Sequence, residues 1–145
     1  MSLKTQSFEN HAKLVPAYHY WATALLVLPT LYFLFLTVTS FSLERLAIAL
    51  FAVGVVIIGL FARLFPLGVQ DRVIRLEERL RMEALLPEEL RGRIGDFTTE
   101  QLIGLRFASD DELSDLCRKV LDESISDRKP IKQAVQSWRA DHQRI

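Results

Sequence analysis

Apolar and polar positions divide the chain into two halves, and the division falls inside what reads as helix. The first half holds two apolar runs, "YWATALLVLPTLYFLFLTV" at residues 20–38 and "LAIALFAVGVVIIGLFA" at residues 46–62, the second extendable by Leu64 and Phe65. About 20 apolar residues of helix cross roughly 30 Å of hydrocarbon, so each run predicts a transmembrane helix. The second is at the short end and relies on Arg63 to snorkel. Two such runs exceed what a chain this size could cover with its own protein. The first is also too long for a cleaved signal peptide, and no small-residue cleavage site follows it. The link "TSFSLER", residues 39–45, is short enough to force an antiparallel hairpin with both termini on one side.

The second run passes without a polar loop into "VQDRVIRLEERLRMEALL". Pro66 and Gly68 predict a bend between the two. Beyond it, Val69, Val73, Leu76 and Leu80 recur at helical spacing and make one apolar stripe. Asp71 with Arg75 and Glu77 with Arg81 are i,i+4 pairs in the favourable order. Because Glu83 occupies the next heptad position, the stripe is expected to pack on the protein's own later helices rather than in a coiled coil. Glu78 is expected on the exposed side.

Four shorter helices follow. "LPEELRGRIG" starts at Pro87 and stops at Gly92 or Gly95. "TTEQLIGLRF" opens on Thr98 with Gln101 three residues on, and "SDDELSDLCRKVLDES" opens on Ser109 with Glu112, two capping boxes. Leu113, Leu116, Cys117, Val120 and Leu121 lie on one face of the latter, so Leu116 and Leu121 are expected in the core. "SDRKPIKQAVQSWRAD" tolerates Pro130 in its first turn and carries a stripe of Ile131, Ala134, Val135 and Trp138. No stretch after Phe65 alternates with period two. The fold class is therefore an all-α membrane protein: a two-helix transmembrane hairpin, then a cytoplasmic helical domain with one long amphipathic helix and about four shorter ones. The expected divisions are an N-terminal interfacial segment (1–19), the hairpin (20–65, spans about 20–39 and 45–65) and the helical domain (66–145).

Charge sets the orientation. Lys4 and Lys13 precede the first span, and Arg63, Arg72 and Arg75 follow the second, against a single Arg45 beside Glu44 in the link. Lys and Arg are retained on the cytoplasmic side, which predicts cytoplasmic termini and an outer loop. Tyr18, Tyr20 and Trp21 suit the cytoplasmic headgroup level. Pro29 predicts a kink in the first span, and Gly54 and Gly59 are not spaced as GxxxG. Neither span carries an ionisable residue at mid-depth, which argues against an ion or proton pathway within one chain. The formal net charge is zero, and 15 of the 18 Lys/Arg and 16 of the 18 Asp/Glu lie after Ala62. So balanced a polar half is poor material for holding nucleic acid.

No familiar catalytic constellation is present: no Walker A, G-x-G-x-x-G, C-x-x-C, H-E-x-x-H or G-x-S-x-G. No catalytic, cofactor-binding or metal-binding residue is therefore assigned, no cofactor or small-molecule ligand is expected, and the chain reads as a non-enzyme. His11 and His19 could ligate a metal or haem near the membrane surface, but they lie eight residues apart across Pro16 with only Glu9 close by. Asp110, Asp111, Glu112 and Asp115 are accounted for by the positive end of a helix dipole. Cys117, the one cysteine, falls in an apolar stripe and reads as a buried structural thiol. Trp138 among Arg128, Lys129, Lys132 and Arg139 reads as a core tryptophan on a basic helix rather than a headgroup-binding surface.

The strings "QDRVIRLEE" and "LRFASD", with "SFENHAKLVPAYHYW", "RKVLDES" and "DRKPIKQAVQSWRAD", resemble a family of uncharacterised bacterial two-span membrane proteins, a domain of unknown function. The resemblance covers essentially the whole chain. It implies a bacterial inner-membrane location and no activity. Together these readings predict a membrane-anchored interaction or scaffold module at the cytoplasmic face, with the lipid bilayer and a protein partner or second copy as its contacts. The alternative is a small metal- or haem-binding membrane protein or enzyme using His11 and His19.

Overall fold

The computed structural model describes residues 6–10 and 14–141, and His11 lies outside them. Among the described residues the fold is all-α, with six α-helices and no strand beyond an isolated bridge between Ala108 and Trp138. Two compact units form, Lys13–Leu67 and a second made of Met1–Ala12 with Gly68–Ile145.

In the first unit a π-helical turn, Ala17–Ala22, runs directly into α1, Thr23–Thr39. After residues 40–42 comes α2, Leu43–Leu85. Ser42 opens it by accepting the Arg45 amide N–H on its hydroxyl at 3.1 Å, and the Arg45 guanidinium donates to the Ser40 carbonyl. Tyr18 donates its hydroxyl to the Gly59 carbonyl at 2.9 Å. A Cβ at Gly59 would meet Leu26 Cδ1 at 3.1 Å, so glycine permits that close approach. The polar side chains along α1 are satisfied locally: Thr30, Thr37 and Thr39 donate to the carbonyls of Leu26, Phe33 and Phe35 at 2.7, 2.8 and 2.9 Å. Such i−4 bonds let a hydroxyl sit in an apolar helix at small cost.

Pro66 and Gly68, where a bend is expected, do not interrupt the helix. Pro66 lies inside α2, which runs unbroken for 43 residues. Proline removes one N–H and crowds the carbonyl four residues back, yet helix continues on both sides of it. The apolar run and the charged helix are thus one element.

The second unit is built on the end of α2 by α3 (Glu88–Arg91), a 3₁₀ turn (Ile94–Asp96), α4 (Thr99–Leu105), α5 (Asp110–Asp122) and α6 (Arg128–Ala134). Met82 and Leu86, at the end of α2 and just beyond it, enter a core with Leu102, Leu105, Phe107 and Leu113, joined by further residues from α3, the 3₁₀ turn, α5 and α6. Both capping boxes form. Gln101 of the first also donates to the Ile125 carbonyl at 2.8 Å, fastening α4 to the end of α5. There Ser124 takes a positive φ of 51°, while the Ile125 N–H bonds back to the Val120 carbonyl at 3.0 Å, the left-handed helix stop usually given to glycine. Gly104 lets α4 and α6 touch, since a Cβ there would lie 2.8 Å from Ile131 Cβ.

The last helix is shorter than its apolar stripe suggests. α6 stops at Ala134 because Glu112, which closes the cap of α5, also accepts the Gln136 and Ser137 amides at 3.0 and 3.2 Å. Extended backbone then lets the Ser109 amide bond the Ser137 carbonyl at 3.0 Å and the Arg139 amide bond the Phe107 carbonyl at 2.8 Å. Trp138 consequently stands outside α6, partly buried, with its ring 4.8 Å from that of Phe107. At the other end of the chain, Gln6 exchanges two bonds with the Asp141 backbone, at 3.2 and 2.8 Å.

Candidate interaction surface

The part of α2 beyond Gly68 has two faces of opposite fate. A helix turns about 100° per residue, so Ile74, Glu78, Met82 and Leu86 share one face, and Val69, Val73, Leu76 and Leu80 share a face roughly opposite. The first set is buried, at 5%, 4%, 0% and 0% exposure. The second is exposed, at 62%, 47%, 61% and 60%. The expectation that the regular apolar stripe would pack inside is therefore overturned: the stripe faces outward and the face containing a glutamate goes in.

The burial of Glu78, expected on the surface, has a clear cause. Its carboxylate receives Arg81 at 3.0 Å and Arg139 at 3.1 Å. Arg81 in turn donates through Nε and Nη2 to Asp110 at 2.9 and 2.6 Å, and through Nη2 to the Ala108 carbonyl at 2.7 Å. A buried carboxylate needs opposite charge and donated hydrogen bonds, and Arg81 of the same helix and Arg139 of the tail bring both. The network ties α2 to the start of α5 and to the extended tail. It permits that face to go inward, because Glu78 leaves water only together with Arg81 and Arg139 as partners. Cys117 lies beneath it, fully buried, and burial pushes its thiol up to about 12; the Arg81 cation opposes that rise and the Glu78 charge adds to it. The thiol is inert structural material, as its place in the α5 stripe suggests.

The outward face has a patterned border. Arg72 and Arg79 lie along one edge of the stripe by helical register, and Glu77 lies on the other with Gln70 and Ala84. Arg72 and Glu77 are exposed.

The remaining candidates are elsewhere. His19 sits in the π-helical turn with its Nδ1 3.0 Å from the Val15 carbonyl oxygen and 3.1 Å from the Val15 amide nitrogen, and its ring is edge-on to Tyr18. Among the described residues no cluster of three or more His, Cys, Asp or Glu could hold a metal ion. Asp110 is engaged by Arg81, Asp115 by Arg118 at 3.2 Å, and Glu112 by backbone amides. The basic residues near Trp138 do not form one surface. Lys132 is buried with its ammonium 4.9 Å from the Phe107 ring centre, Arg128 pairs with Glu100 at 3.2 Å, and Arg139 is held by Glu78. Val69, Val73, Leu76 and Leu80, together with the charged residues that border them, are what remains as a candidate functional surface.

A family model, DUF6526, described as a family of unknown function, matches residues 1–145. The chain belongs to this family. No curated protein and no solved structure matches it. Membership agrees with the resemblance carried by the "QDRVIRLEE" and "LRFASD" strings and assigns no activity.

Two helices, Ala17–Thr39 and Leu43–Leu85, are long and apolar enough to cross a membrane. Only 6% of the apolar window of either is buried. The first runs a few residues earlier than its apolar string, because the aromatic segment with Tyr18 and Tyr20 is itself helical.

Proposed function

We propose that this family member is a membrane-anchored helical interaction module without catalytic activity. Its two apolar helices span a bacterial inner membrane, and its helical unit stands at the cytoplasmic face, where it binds a protein. The observation that carries this reading is the exposure of the apolar surface. A core helix of a water-soluble fold is mostly buried, whereas these two expose Leu25, Leu28, Phe35, Phe51, Ile58 and more across their apolar windows. Lipid is the solvent that makes such a surface stable, and the i−4 bonded threonines suit it.

Orientation follows from the Lys/Arg of both flanks against the lone Arg45 of the link. The reciprocal pair of Gln6 and Asp141 supports placing both ends on one side, because residues joined by hydrogen bonds beyond two spans share a side of the membrane, and the Lys/Arg count alone assigns that side to the cytoplasm. The unbroken α2 supports a tethering role: the connection from span to helical unit is regular helix, not a flexible coil.

The test is cysteine accessibility on intact cells. Ser40→Cys and Ser126→Cys, each in a Cys117→Ala background, are treated with an impermeant thiol reagent after the protein is shown to resist alkaline extraction from membranes. Ser40→Cys labels from outside and Ser126→Cys only after lysis. The reverse pattern contradicts the orientation, and extraction into the soluble fraction contradicts the anchor.

A further inference from the structure

We infer that the occupant of the outward face of α2 is a second copy of this chain, docked in parallel along Val69, Val73, Leu76 and Leu80. The inference rests on the interaction-module reading and names its partner. The spacings of the four residues, 4, 3 and 4, are those of alternating d and a positions of a heptad, the repeat that lets two helices mesh side by side. In that register Arg72 occupies a g position and Glu77 the following e position. A parallel pair brings each g residue beside the e residue five positions later on the other helix. Arg72 of one copy then meets Glu77 of the other, and twofold symmetry makes the pair twice. An antiparallel pair would instead set Arg72 near Arg72 and Glu77 near Glu77, so the charge border selects the parallel arrangement. That is also the arrangement that two copies inserted the same way in one membrane present to each other.

A lipid surface fits this face less well. Helices that lie on membranes flank their apolar side with Lys and Arg. Here one edge is acidic at Glu77, and Glu83 closes the stripe at its far end. Glu83 also sets the extent of the contact, because its d position would juxtapose two carboxylates. The seam is therefore about two heptads long, shorter than coiled coils that are stable in free solution. Anchoring both copies in one bilayer raises their effective concentration and makes so short a seam sufficient.

The experiment uses the full chain in native membranes in the Cys117→Ala background, with a mild oxidant and non-reducing gels. Leu76→Cys forms a disulfide-linked dimer, while Arg75→Cys, exposed on another face, forms at least tenfold less. Adding Arg72→Glu to Leu76→Cys lowers the dimer at least fivefold, as does Glu77→Arg, and the two charge changes together restore it. Restoration by charge exchange is what parallel self-pairing predicts and what a merely structural role for either residue does not. Equal cross-linking at residues 75 and 76, or failure of the double exchange to restore the dimer, overturns the inference. So does protection of the Leu76→Cys thiol from an impermeant reagent by lipid vesicles without dimer, which would make lipid the occupant. An adduct of Leu76→Cys with a different protein overturns self-pairing yet leaves the interaction module standing, whereas recovery of the chain in the soluble fraction removes the module reading itself.

Discussion

The two faces of α2 beyond Gly68 differ in a way that apolarity alone does not explain. The outward face is the more regularly apolar, yet it stays exposed; the inward face carries Glu78 at its centre and is buried. What separates them is the set of partners waiting for each. Arg81 and Arg139 pair with Glu78, Asp110 holds Arg81 in turn, and Met82 and Leu86 beyond that network supply the apolar area. A polar residue inside a buried face is tolerated where its partners are buried with it, so hydrophobic pattern alone does not identify the inward face.

The comparison is broken most directly by truncating the inward face. Met82→Ala and Leu86→Ala remove fully buried side chains and should each destabilise the helical unit by about 2–5 kcal/mol. Thermal or denaturant unfolding followed by the loss of Cys117 protection measures it. Glu78→Ala comes next, at about 2–3 kcal/mol. That is below the roughly 3–5 kcal/mol of a fully buried pair, because Arg139 is half exposed and Arg81 keeps Asp110. Glu78→Gln should recover part of the loss. Gly104→Ala should cost about 1–3 kcal/mol by forcing α6 away from α4, against the usual gain of alanine in a helix. Leu80→Ala, on the outward face, should change the same melting curve by under about 0.5 kcal/mol. A cost at Leu80 equal to that at Met82 would erase the distinction between the faces.

The thiol beneath the network gives the comparison a pH dependence. Cys117 is held protonated up to about pH 12 in the folded unit, whereas its ordinary value is 9.0. Above pH 9 the unfolded chain therefore releases a proton that the folded chain retains. The stabilisation is complete below that value and is lost progressively as pH rises toward about 12. Cys117→Ala should flatten this part of the alkaline stability profile, measured by chemical denaturation at a series of pH values, and leave the profile near neutrality parallel to the parent's.

Much of this arrangement could be read from the residues because it is local. The apolar runs, both capping boxes and the α5 stripe need only neighbours within a turn or two, and Leu116 is buried as expected. Leu121 proves only partly buried, at the edge of the core. What escaped the sequence is long-range. The pairing of Glu78 with Arg139 joins residues 61 positions apart, and no periodicity announces it. The end of α6 at Ala134 depends on Glu112, whose second role as acceptor for Gln136 and Ser137 is invisible in a motif that already explains it as a capping residue. Pro66 and Gly68 are a strong local signal of interruption, yet both lie inside one 43-residue helix. In α2 the interior i,i+4 series was hidden by its own glutamate. Ile74, Met82 and Leu86 become a stripe only once Glu78 is allowed among them.

The central claim, that Val69, Val73, Leu76 and Leu80 stand outside the core of the helical unit, is tested most directly by Val73→Asp in the full-length protein in membranes, with the rate of Cys117 modification by a small permeant thiol reagent as the measurement. Cys117 reacts only when the unit opens, so its rate reports the folding of that unit, and expression at a level where no dimer is cross-linked keeps the seam from contributing. The rate in Val73→Asp should match that of the parent within about twofold, because a charge at an exposed position changes stability by under about 0.5 kcal/mol. Rapid modification, at least roughly a hundredfold faster, would mean that the stripe is part of the core after all, and that the outward face of α2 is not free to meet a partner.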